Sequence, residues 1–144
     1  MVAGESAQLS LSVTFDDGAQ EIVTDGAIWS SSDPAVATVD EAGGLTARAR
    51  GRATIGATIN GVSVSAPVGV VPDVSGVWAI TMPAGDGRWT DVTFAEIEQQ
   101  AAAISGRWQW DSGVALTIEG SVNEEGVLSL SGRDCYSGNT YGYV

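Results

Sequence analysis

The sequence has no histidine and no lysine among its 144 residues, and its six basic residues are all arginine. Without an imidazole or an amine there is no Ser-His-Asp triad, no Cys-His pair, no Schiff-base lysine and no P-loop. Zinc sites usually need about four Cys, His or carboxylate ligands, and a single cysteine with no histidine does not supply a typical set. That cysteine, Cys135, cannot close an internal disulfide. There is no apolar run of about 18 residues, so no membrane-spanning helix is expected. Met1 to Glu5 carry neither the basic region nor the apolar core of an export signal. An exported protein of this sequence would therefore carry its signal elsewhere. No cofactor and no metal are expected.

Positive charge is scarce against 18 acidic residues, giving a net charge of −12. Residues 1–72 hold eight acids and three arginines, and residues 73–144 hold ten and three. Both halves repel nucleic acid and anionic lipid. What the chain does have is glycine, 19 of them, with many Val, Ile, Thr and Ser residues. That composition predicts an all-β protein.

Alternation in the first half locates the strands. Leu9, Leu11 and Val13 share one face of a predicted strand over Gln8 to Val13, and Asp16-Asp17-Gly18 supplies a turn. Short strands follow at Glu21 to Thr24, Ile28 to Ser31, Val36 to Val39 and Leu45 to Ala49, with Asp33-Pro34 bending the chain and Gly51 ending the last. Ala53, Ile55, Ala57 and Ile59 alternate into Asn60-Gly61, a strong signal for a type I′ hairpin, and Val62, Val64, Ala66, Val68 and Val70 line the return strand. About seven strands in this stretch suit a two-sheet sandwich.

Trp29 with Ser31-Ser32-Asp33, Val36 to Val39, Gly44 to Thr46, Gly51 and Ala53 to Gly61 together resemble a bacterial Ig-like domain of group 2 over residues 2–71. The resemblance implies a small β-sandwich of bacterial surface, secreted or phage structural proteins, and it carries no catalytic residues. Trp29 is assigned to the sandwich core. Pro72-Asp73 marks the expected boundary, giving domains 1–72 and 73–144.

The second half opens on Ser75-Gly76-Val77-Trp78, and a Gly-x-Trp entering a first strand resembles lipocalin-like barrels. Strands are expected at Trp89 to Gln99, Ala103 to Trp110, Val114 to Val122 and Val127 to Ser131, with the end of the chain also strand-like. Ala, Glu and Gln make a helix over Phe94 to Ala103 the alternative, but Thr93, Ala95, Ile97 and Gln99 alternate and strand is preferred. Five or six strands fall short of the roughly eight of a closed barrel. An antiparallel meander or partial barrel is the expectation. Trp78 is assigned to its core.

Few residues invite chemistry. Glu96 and Glu98 share a strand face about 7 Å apart, the one remaining arrangement for glycoside hydrolysis; a solvated surface is the preferred reading of such a pair. Asp16-Asp17, Asp40-Glu41 and Glu124-Glu125 sit in turns without calcium-loop spacing. Arg48, Arg50 and Arg52 would form a basic stripe along one strand. Trp89, Trp108 and Trp110 are the candidate ligand-binding residues, able to stack on sugar rings or receive an apolar molecule, or else to fill the sheet core. The sequence thus points to a non-enzymatic extracellular or cell-surface module, a spacer or adhesion domain with an appended β-domain. Its expected partner is a protein or carbohydrate at a cell surface, without nucleic acid or membrane insertion. A carrier of a small apolar ligand and a phage structural or decoration module are the alternatives.

Overall fold

The structure is a computed structural model describing residues 1–23, 26–80, 93–109, 115–134 and 140–143. It is all-β, and the chain divides into two compact units, Met1–Pro72 and Asp73–Val144.

The described residues of unit 1 form β1 (Ser6–Gln8), β2 (Leu11–Thr14), β3 (Gln20–Val23), β4 (Ile28–Ser31), β5 (Ala37–Val39), β6 (Gly44–Ala47), β7 (Gly51–Ile59) and β8 (Val62–Val70). Three antiparallel groups result, in the orders β1-β6-β5, β2-β3 and β4-β7-β8. Val2 and Val71 form a parallel bridge, where the Met1 ammonium donates to the Gly69 carbonyl at 3.0 Å, the Val71 N–H to the Met1 carbonyl at 2.9 Å, and the Ala3 N–H to the Val71 carbonyl at 2.9 Å. The first predicted strand is really two. The ladder breaks at Leu9 and Ser10, so β1 pairs with β6 while β2 pairs with β3. Leu9 donates its N–H to the Gly43 carbonyl at 2.9 Å, tying down the chain where it changes partner. Gly51 also differs from expectation, since it begins β7 instead of ending a strand that stops at Ala47.

Turn chemistry follows residue type. Asn60 and Gly61 take φ of 51° and 81°, the positive values that a type I′ turn requires, and they set Ile59 opposite Val62. Asp33 accepts the Ala35 N–H on Oδ1 and the Val36 N–H on its carbonyl, so the Asp-Pro bend is held by its own first residue. Val36, Ala37, Leu45, Ala47, Ala53, Ile55 and Val70 form the core, with Leu9, Trp29 and Val68 packed around it. Each large aliphatic side chain buried this way contributes about 1.5–3 kcal/mol.

The described residues of unit 2 form a single antiparallel sheet of six strands, β9 (Gly76–Ile80), β10 (Thr93–Gln100), β11 (Ala103–Gln109), β12 (Ala115–Val122), β13 (Leu128–Asp134) and β14 (Thr140–Tyr143), in sequential order. It is a meander in which no pairing of β9 with β14 closes a barrel among the described residues. Residues 94–100 are strand, not helix. Ala95, Ile97, Ile104, Trp108, Leu116, Ile118 and Val122 are buried on one face, while Glu96, Glu98, Arg107, Thr117, Glu119 and Arg133 are exposed on the other. This is the period-2 division of a sheet with one dry face. Gln99 anchors the entry to the unit, accepting the Val74 N–H at 2.7 Å and donating to the Ala101 carbonyl at 2.8 Å.

Candidate functional site

Of the three tryptophans singled out as ligand contacts, only Trp108 lies among the described residues. It is 3% exposed and stands in the buried face of unit 2, between Ala95 on β10 and Leu116 on β12. That placement is the core use of the side chain. Trp89 and Trp110 fall outside the described residues. Trp78 departs from its core assignment: it is 46% exposed, and its indole Nε1 donates to the Val74 carbonyl at 2.8 Å. Pairing with Ala95 puts it on the inward face, but in β9, which among the described residues is flanked by a strand on one side only.

Glu96 and Glu98 both project from the exposed face, where Glu96 pairs with Val77 and Arg107, and Glu98 with Ser105. The turn acids serve the backbone. Asp17 Oδ1 accepts the Ala19 N–H, and Asp40 Oδ1 accepts those of Ala42 and Gly44 at 2.9 and 2.7 Å. At the β12–β13 turn Asn123 Oδ1, not either glutamate, accepts the N–H groups of Glu125 and Val127. Among the described residues no group of three His, Cys, Asp or Glu side chains is placed to hold a metal ion. The arginine stripe does not form on one strand, because β6 ends at Ala47 and β7 begins at Gly51. Arg48 and Arg50 lie in the connection, with Arg48 Nε donating to Thr38 Oγ1 at 3.2 Å, and only Arg52 is in a strand.

A feature that sequence reasoning missed lies in unit 1. β2 and the β7–β8 hairpin do not close against each other at the Asn60-Gly61 end, which leaves an apolar groove of about 620 Å³. Leu11, Val13, Phe15 and Val23 line one side, and Ala57, Ile59, Val62 and Val64 the other. A smaller hollow of about 240 Å³ shares Leu11, Ala57 and Val64 and extends past Trp29 to Val68. Val62 and Val64 sit on the inward face of β8, the face of buried Val70, yet are 65% and 54% exposed. Trp29 is half-buried beside this opening, and among the described residues its buried Nε1 meets no hydrogen-bond partner. Gly43, at φ 80°, lies beneath the indole, where a Cβ would come within 3.1 Å of the ring. Alternation told which side of β8 faces inward. It carried no signal of whether anything covers that side.

Comparison with known proteins agrees with this architecture for the first unit. The lacto-N-biosidase of Bifidobacterium bifidum is 44% identical over 71 residues, which make up 49% of this chain and 6% of that protein. The chain therefore matches a small part of a much longer relative. Residues 1–70 match the model of the bacterial Ig-like domain (group 2), a non-catalytic β-domain. With its Trp29-bearing strand, Asp33-Pro34 bend and Asn60-Gly61 hairpin set around one small core, the first unit of this chain is a bacterial Ig-like domain of group 2.

Proposed function

We propose that this chain is a non-catalytic accessory module of an extracellular or cell-surface bacterial protein, in which unit 1 spaces or adheres and unit 2 presents its exposed polar face to a protein or carbohydrate. The observation that carries this reading is the match of unit 1 to a family of Ig-like domains, beside the likeness of 71 residues of this chain to a small part of a much longer lacto-N-biosidase. Among the described residues of unit 2, one hollow is polar, lined by Thr117, Glu119, Ser131 and Arg133, and a second is an open, mixed surface of Glu98, Gln100 and Ser105 with Ala103 and Ile104; neither is the enclosed apolar cavity that a carrier of apolar molecules uses.

Two measurements test the proposal. Protease treatment of intact cells of the source bacterium should remove the protein, or it should be found in the medium; a protein protected inside intact cells refutes the location. The purified chain should leave a panel of chromogenic glycosides unhydrolysed. Turnover that disappears in a Glu96→Gln/Glu98→Gln variant would show an enzyme instead.

A further inference from the structure

We propose that the outward polar face of unit 2 holds a neutral oligosaccharide along a row of side chains that crosses β10 to β13. The inference rests on the reading of this face as a recognition surface, and it names which of the two partner classes the face fits. The strand register sets Glu98, Ser105, Glu119 and Ser131 side by side in one exposed row. Glu96, Arg107, Thr117 and Arg133 form the exposed row beside it. Both hollows of the unit lie on the first row. One, of about 230 Å³, opens between β12 and β13 at Glu119, Ser131 and Arg133. The other, of about 400 Å³, opens between β10 and β11 at Glu98 and Ser105. Side-chain length accounts for the first. Ser131 is short and stands opposite Gly142, which has no side chain, so the face is low between Glu119 and Arg133.

Charge and hydrogen-bond type select the ligand. Arg107 and Arg133 are both diagonal neighbours of Glu119 in the register, at the roughly 7–8 Å that long side chains on a sheet face can bridge. A carboxylate only accepts and a guanidinium only donates. The Ser131 hydroxyl donates to the Glu119 carbonyl at 3.2 Å, which leaves its lone pairs for an incoming donor. The hollow therefore asks for donors and acceptors close together on a ligand without net charge. A sugar supplies both, because each hydroxyl donates and accepts. An anionic ligand would meet the ten acids that residues 73–144 set against three arginines. A cationic one would meet the two guanidinium groups. A protein interface centres on large buried anchors, aromatic ones above all, and neither row contains an aromatic or aliphatic side chain from β10 to β13.

The two hollows are separated by two strand spacings, about 10 Å. One sugar ring cannot fill both, whereas a linked chain of them can. Without an aromatic platform in the rows, holding rests on a few bonds to solvated groups, and a dissociation constant of about 1 mM is expected for a single site.

The test displays the full chain, biotinylated and held multivalently on streptavidin to offset weak single-site binding, to an array of immobilised neutral, uronate-bearing and sulfated oligosaccharides. Neutral glycans should be bound, and raising the salt should leave that binding within about twofold. Glu119→Gln and Arg133→Gln should each weaken it about tenfold or more while leaving the circular dichroism and thermal midpoint unchanged. The strongest-binding glycan, added in solution to the 15N-labelled chain, should shift the amide signals of Ser105, Thr117 and Ser131. No binding to any neutral glycan overturns the proposal. So does binding confined to uronate-bearing or sulfated glycans, or binding that both substitutions leave intact. Those failures leave the accessory role standing, since cell location and inertness to glycosides decide it; hydrolysis of a bound glycan would overturn both.

Discussion

Gly106, Gly120 and Gly132 occupy inward-facing positions of unit 2, and alanine at each of them should give three different results. A Cβ at Gly106 would overlap the Glu96 carbonyl oxygen, and one at Gly120 the Ser129 carbonyl oxygen, both in the backbone of the adjoining strand. Neither obstacle can rotate away, so β11 must part from β10, and β12 from β13. Losing about two ladder bonds at about 1 kcal/mol each, with overpacking of about 1–3 kcal/mol, is partly offset by the smaller entropy of an unfolded alanine. The net cost is about 2–4 kcal/mol, a large share of the roughly 4–11 kcal/mol expected of a unit this size. At Gly132 the nearest atom is Leu116 Cδ1 at 3.2 Å, the end of a side chain that can turn. Gly132→Ala should therefore stay within about 1 kcal/mol of the parent. Urea unfolding followed by tryptophan fluorescence measures this, in a Trp29→Phe background where every remaining tryptophan belongs to residues 73–144. A cost below about 1 kcal/mol for both Gly106→Ala and Gly120→Ala, or an equal cost at Gly132, would refute the steric argument.

Trp29→Phe should change the stability of unit 1 by no more than about 1 kcal/mol, because the lost ring area is offset by removing an N–H that meets no partner among the described residues; Trp29→Ala should cost about 2–4 kcal/mol, both read from urea midpoints followed by circular dichroism. Gly51→Ala should destabilise unit 1 by about 2 kcal/mol or more, since Gly51 has φ 143° and a Cβ would lie 2.8 Å from Val36 Cγ2; a thermal midpoint equal to that of the parent would contradict this. The Asp73 carboxylate accepts hydrogen bonds from the Ser75 hydroxyl at 2.6 Å and N–H at 2.9 Å, which hold its pKa below the ordinary value of 3.8. Because the folded value is the depressed one, this contribution is present above the unfolded pKa and is lost as pH falls through the folded pKa. A carboxyl NMR titration should show it, and Ser75→Ala should raise the midpoint.

Period-2 alternation and turn residues made most of the first unit legible. β4, β7 and β8 follow from the residues around Trp29 and the Asn60-Gly61 hairpin, because each face is set by its own side chains. The change of partner at Leu9 and Ser10 was not legible, because the apolar alternation runs unbroken through it and only the Gly43 carbonyl marks the crossing. Gly51 read as a break because glycine usually is one; here a positive φ lets the strand start against Val36. For unit 2 the alternation gave the dry face and the meander, including β10, where composition also allowed a helix. The exposure of Trp78 at an edge, and of Val62 and Val64 beside a groove, depends on what other segments leave uncovered. A single strand holds no record of that. Trp108 could be read as core or as a stacking surface from its spacing alone, and only its neighbours Ala95 and Leu116 decide.

The short parallel contact between Met1–Ala3 and Gly69–Val71 sets how unit 1 bears tension. The two segments run side by side in the same direction, one at the start of the unit and the other at its end. Pulling the ends of the unit apart therefore slides the segments past each other along their length. Under that load the three bonds joining Met1, Ala3, Gly69 and Val71 are strained together, in shear, and do not open one after another like a zip. A unit stretched this way holds until several bonds fail at once, which is the mechanical behaviour that the proposed spacer role would need.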